Sequence, residues 1–127
     1  MSKLCKRAHK GFTLVEIMIV VLIIGILLAI AVPNFIKARE TSRAKACVAN
    51  LKQIESAKEQ WAMDNNKQNG ATPGWTDLVS GANGYLKAQP SCPSGGTYTV
   101  GDMNTRPVCT IGNNGTAADT SDDHILP

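Results

Sequence analysis

Few side chains in this sequence stand where chemistry is possible. Glu16 sits near the start of an apolar run that continues from Ile17 to Val32 without another charge. Cys92 and Cys109 flank a Gly- and Thr-rich stretch, while Cys5 and Cys47 lie apart from them. Asp119, Asp122 and Asp123 gather close to the end with Thr120 and Ser121. Histidine occurs twice, as His9 and His124, and no Gly-x-Ser-x-Gly, phosphate-binding loop or His-Glu-x-x-His is present. Hydrolytic, nucleotide-dependent and zinc-peptidase chemistry therefore lack their usual residues, and the chain is not read as an enzyme. The chemistry left open is charge pairing at Glu16, thiol chemistry at Cys92 and Cys109, and oxygen ligation by the aspartates.

A thiol pair 17 residues apart fits a disulfide made in an oxidising compartment, and closing such a loop stabilises by on the order of 3 kcal/mol. A metal site at these cysteines is disfavoured, because no Cys-x-x-Cys pair occurs and the nearest histidine is His124. Cys47 reads as a small buried residue rather than a reactive thiol. The carboxylates at Asp119, Asp122 and Asp123 could bind Ca²⁺, although their spacing is not that of an EF-hand and a short acidic cluster is commonly a solvated tail.

The elements that position these groups begin with the apolar run. Phe12 to Val32 carries one charge, and about 20 such residues span the ~30 Å apolar thickness of a bilayer. Lys3, Lys6, Arg7 and Lys10 precede it, which marks an export signal with a cytoplasmic N-terminus. They also account for the net charge of +3: without residues 1–11, nine cations face ten acidic residues, a net −1. Nothing globally basic remains to suggest nucleic acid as a partner. The cluster Lys37, Arg39, Arg43 and Lys45 follows the membrane run, where lipid headgroups or acidic neighbours are its expected contacts.

An ordinary secretory signal is cut behind its apolar region, and Ala29-Ile30-Ala31 offers such a site. Glu16 argues against that cut, because a charge inside a membrane helix costs about 2.5–3.5 kcal/mol on insertion scales. A cut between Gly11 and Phe12 gives the charge a purpose. The new α-amino group lies at the positive end of a helix, one turn from Glu16, where a carboxylate complements both. The amine is either that of the same chain or that of a packed neighbour.

Lys10-Gly11-Phe12-Thr13-Leu14-Val15-Glu16 with its basic leader and apolar continuation resembles the class III signal of type IV pilins and type II secretion pseudopilins. The resemblance covers residues 1 to about 65. It implies cleavage after Gly11 by a prepilin peptidase, N-methylation of Phe12, and a role for Glu16 in registering subunits of a homopolymeric filament. An inner-membrane assembly platform is implied as a further partner. Pseudopilins of this kind also resemble the chain in placing a calcium loop near the C-terminus, and no other cofactor is expected. The alternative is a small membrane-anchored or secreted binding module that uses the helix only as anchor or signal.

Helical periodicity continues past the membrane run. Cys47, Leu51, Ile54 and Trp61, widened by Ala44, Val48 and Ala57, form one stripe. Gly25 and Pro33 weaken the helix, and a kink is expected near Pro33; the resemblance implies loosening between them in a filament. From Asn65 the composition turns to loop. Trp75 to Val79 predicts a short helical turn, with Trp75, Leu78, Tyr85 and Leu86 on its apolar side, and Asn83-Gly84 a turn. Gly96–Val100 and Pro107–Ile111 predict two β-branched-rich strands. The expected fold class is α+β: a long N-terminal helix, membrane-spanning in its first half, with its second half packed on a small antiparallel sheet. The expected segments are a leader (1–11), a transmembrane and assembly helix (12–33), its amphipathic continuation (34–65), and a C-terminal region with a β-hairpin (66–127). The product is an inner-membrane, single-pass protein destined for a periplasmic or extracellular filament.

Overall fold

A computed structural model describes residues 10–79, 84–112 and 123–127. The chain divides into two compact units, one ending at Ile36 and the other running from Lys37. Helix α1, Leu14–Asp64, contributes to both and is unbroken through Gly25 and Pro33. Pro33 brings no N–H for the carbonyl one turn earlier. The Asn34 side chain adds a bond at the next carbonyl along, its Nδ2 donating to Ile30 O at 3.3 Å.

In the N-terminal unit every large apolar side chain from Phe12 to Ile36 is exposed. Chain-internal packing therefore contributes nothing to this stretch; its helicity rests on satisfying its own backbone, as a lipid environment requires.

The C-terminal unit has a core. Ala44, Cys47, Leu51, Ile54 and Ala57 of α1 are buried as the periodicity predicts, while Val48 and Trp61 of the expected stripe are half-buried and Ala62 joins it. The helix stops in a Schellman arrangement: Lys67 N donates to Ala62 O at 2.9 Å and Asn66 N to Met63 O at 3.3 Å, with Asn66 in the left-handed region at φ 49°. Asparagine adopts that conformation more readily than most residues, so the Asn-Asn step ends the helix.

Helix α2, Trp75–Val79, lies where the pattern predicted it. Its Leu78 is fully buried, and Trp61, Trp75, Tyr85 and Leu86 pack around the same cluster. The Asp77 carboxylate accepts from Gly74 N at 2.8 Å and caps the turn. A two-stranded antiparallel sheet follows, β1 (Tyr98–Thr99) against β2 (Val108–Cys109), in the register Tyr98 with Cys109 and Thr99 with Val108.

Both strands are shorter than the five residues each that the sequence suggested. Val100 O is taken by a lysine instead of a strand partner, Gly101 turns the chain at φ 70°, and Pro107 has no N–H to give a ladder. The loop between them is held by its own exchange of bonds. Asp102 N donates to Thr105 Oγ1 at 3.1 Å, and Thr105 N donates to Asp102 Oδ1 at 2.8 Å.

Candidate functional site

The expected processing junction, Gly11-Phe12, lies at the exposed start of the N-terminal unit. Phe12 is 80% exposed, and a side chain added at Gly11 would meet nothing within 4 Å. Thr13 is the N-cap of α1, its carbonyl accepting from Ile17 N at 3.3 Å. Glu16 N donates to Thr13 Oγ1 at 3.2 Å, and Thr13 N donates to Glu16 Oε2 at 3.4 Å. This reciprocal pair is a capping box, a Thr-x-x-Glu signal readable in residues 13–16 and overlooked when the glutamate was assigned only to an amine. The two roles are compatible: the box holds the carboxylate one residue from the nitrogen of Phe12, where the expected cut after Gly11 would create the amine. Gly25 also has nothing within 4 Å of an added Cβ. Packing within the chain thus makes no demand for glycine there, and Gly25, like Pro33, is placed along the helix rather than at a common site with Glu16.

A second group of reactive side chains lies in the C-terminal unit. Cys47 from α1, Cys92 from the turn before β1, Cys109 from β2 and His124 are all buried, with one ligand atom of each within 4.8 Å of the others. This corrects the expected Cys92–Cys109 disulfide: both thiols are free, as is Cys47. The helix delivers a third sulfur between them, and His124 closes the group with Nδ1 3.5 Å from Cys92 Sγ. The donors converge without the Cys-x-x-Cys pair that the sequence argument looked for. Here four separate segments supply one residue each.

The group polarises its members differently. Burial pushes the Cys47 thiol up to about 12, against a hydrogen bond from the Tyr98 hydroxyl. Burial likewise acts to raise Cys92, but the backbone N–H groups of Ser94 and Gly96 and the neighbouring thiols outweigh it, so Cys92 lies below its ordinary value. Burial raises Tyr98 as well, and its hydroxyl oxygen accepts from Asn50 Nδ2 at 3.1 Å.

One buried cation was missed from sequence. Lys58 Nζ donates to the carbonyls of Val100, Asp102 and Thr105 at 2.9, 2.7 and 2.7 Å, clamping the hairpin loop onto α1. Burial lowers its pKa, opposed by the charges of Asp102 and Glu55. A signal existed: Lys58 falls on the stripe Cys47, Leu51, Ile54, Trp61 at the same spacing of three and four, so a lysine occupied a core position.

Comparison with known proteins bears on the first of these sites. Residues 6–32 match the prokaryotic N-terminal methylation motif. Type II secretion system core protein G of Vibrio cholerae is 32% identical over 122 residues, covering 86% of this chain and 84% of that protein. The competence protein ComGC of Bacillus subtilis is 40% identical over 87 residues, 68% of this chain and 84% of its own. The chain belongs to the type IV pilin and type II secretion pseudopilin family. Core protein G of Aeromonas hydrophila is similar at 31% identity, over 75% of this chain and 74% of that protein. No solved structure matches the chain.

As a member of that family the chain is a structural subunit of a pilus or pseudopilus filament, and its α+β fold is the expected one. Of the three aspartates offered as calcium ligands, Asp119 and Asp122 lie outside the described residues, as do Asn83 and residues 1–9 of the leader. Asp123 is half-buried, and its Oδ1 has no hydrogen-bond partner among the described residues.

Proposed function

We propose that the protein waits in the inner membrane as a single-pass precursor, is cut between Gly11 and Phe12 by a prepilin peptidase, is N-methylated on Phe12, and polymerises through α1. The observation that carries this reading is the exposure of every large apolar side chain from Phe12 to Ile36, interrupted by the single charge of Glu16. Such a surface is stable in two environments, a bilayer and a bundle of identical helices, so a subunit can pass between them without meeting water. In the bundle Glu16, already aimed at the helix start by Thr13, meets a methylated amine, its own or a neighbour's, and so fixes the axial register.

Beside the membrane, Arg39 and Lys45 face solvent and Arg43 pairs with Glu40 at 3.2 Å. This basic collar suits anionic headgroups before assembly and acidic residues of adjacent subunits after it. We assign the protein no catalytic activity and no nucleic-acid partner of its own. Its relatives are named for type II secretion and for competence. Intact-mass and N-terminal analysis of protein recovered from filaments tests the reading. The expected terminus is Phe12 carrying one methyl group. A mature chain starting at Val32 would lack the apolar stretch of α1 before it, and the proposal would fall with it.

A further inference from the structure

The cluster of Cys47, Cys92, Cys109 and His124 has no task in polymerisation through the N-terminal unit. Three thiols and an imidazole converge from α1, a turn, β2 and the C-terminal segment, all buried, with their ligand atoms within 4.8 Å of one another. Zn–S bonds of about 2.3 Å and a Zn–N bond of about 2.0–2.1 Å, arranged tetrahedrally, set neighbouring donors about 3.5–3.8 Å apart. Cys92 Sγ and His124 Nδ1 are separated by 3.5 Å. The donor set is soft and contains no oxygen, which disfavours calcium and magnesium and suits zinc.

The backbone is shaped around the sulfurs. Cys92 O accepts from Gly95 N at 3.0 Å and Cys109 O from Gly112 N at 3.1 Å, so each cysteine opens the same kind of turn. Both turns close on a glycine of positive φ, 86° at Gly95 and 59° at Gly112, a conformation that most side chains resist. The first turn directs the N–H groups of Ser94 and Gly96 at the Cys92 sulfur. The second uses the Gly112 carbonyl to hold His124 N at 2.9 Å, which fixes the fourth donor. A Cβ at Gly96 would lie 2.7 Å from Cys109 Sγ, so the chain passes the thiol at a distance only glycine allows. Behind Cys47, the Tyr98 hydroxyl donates to the sulfur and Asn50 donates to Tyr98 at 3.1 Å.

We propose that Cys47, Cys92, Cys109 and His124 bind one structural zinc ion. Binding replaces the three thiol protons, which leave to solvent, and involves no change of oxidation state. Three thiolates and one Zn²⁺ carry a net negative charge, and the N–H groups on Cys92 and the Tyr98–Asn50 relay on Cys47 are the donors that such a buried charge requires. With four protein ligands the ion has no open position, so its role is to join the helix, the sheet and the C-terminal segment of a small unit whose strands are two residues long. A disulfide between any two of the cysteines would leave the third thiol and the buried imidazole without a bonding role.

The full chain, solubilised in detergent and purified without chelator or reductant, is the material for the test. Elemental analysis should find one zinc per chain, released by a thiol-specific mercurial. Exchange into Co²⁺ should give the intense visible bands of a tetrahedral site with thiolate charge transfer. His124→Ala should lose stoichiometric zinc, His124→Cys should retain it, and Tyr98→Phe should bind about 10–100-fold more weakly. Metal-free protein with a disulfide among Cys47, Cys92 and Cys109 in peptide maps would overturn the proposal, as would an octahedral cobalt spectrum. If the alanine variant does not fold, the metal content and cobalt spectrum of the native chain decide alone.

Discussion

The two ends of α1 obey opposite rules. From Phe12 to Ile36 its large apolar side chains are exposed and its single charge faces outward at the start, whereas from Ala44 to Ala62 its apolar stripe is buried and includes a charge, Lys58. In the first stretch the apolar surface is exposed throughout, and the chain's own contribution is the capping box at the helix start. In the second, apolar contact is completed within the chain, and buried polar groups fix which loop lies against the helix. The same comparison appears in miniature in two reciprocal boxes. Thr13 and Glu16 exchange backbone and side-chain bonds at the helix start, and Asp102 and Thr105 do so in the hairpin loop. The first box holds the one carboxylate of an exposed apolar stretch; the second serves the loop that Lys58 clamps.

Substitutions should separate the two ends by what they spare. Glu16→Leu has the largest expected effect: filaments counted by electron microscopy should vanish, while membrane insertion, freed of a charged residue, is unchanged or improved. Normal filaments from that variant would break the distinction, because the exposed end would then assemble on apolar surface alone. Lys58→Met should do the reverse. Insertion is spared, but the carbonyls of Val100, Asp102 and Thr105 lose their donor, and denaturant unfolding of the detergent-solubilised chain should show a loss of about 3 kcal/mol. The smallest effect concerns acid. The hydroxyl and N–H of Thr105 hold the Asp102 pKa below its ordinary 3.8, so the folded state binds fewer protons there than the unfolded one. The bond's contribution is present above that ordinary value and lost as pH falls through the lower folded value. Asp102→Asn should therefore flatten a slight acid-side decline in stability below about pH 4, with no effect on filament assembly.

Much of the N-terminal unit was legible because its signals are covalent neighbours. The Gly11-Phe12 junction, the apolar length and Glu16 need only composition and order along one helix. The Thr13–Glu16 box was equally local and could have been read from its spacing of three. The stripe from Cys47 to Trp61 and the turn at Trp75–Val79 were readable because periodicity reports which face is buried. Strand length was not, since Val100 O has its partner 42 residues away on Lys58. The thiol group was misjudged for the same reason. Pairing Cys92 with Cys109 follows from proximity in sequence, and nothing in local pattern says that Cys47 and His124 arrive between them.

The amino-acid sequence by itself determined the family of this chain and the N-terminal features it shares with that family, because a Gly-Phe junction, a run of apolar residues and one carboxylate are neighbours along a single helix. Only the tertiary structure decided what holds the other end together. Lys58 meets its carbonyls, and three thiols meet an imidazole, through loop closures that order distant segments, and side-chain periodicity carries no record of which distant segments those are.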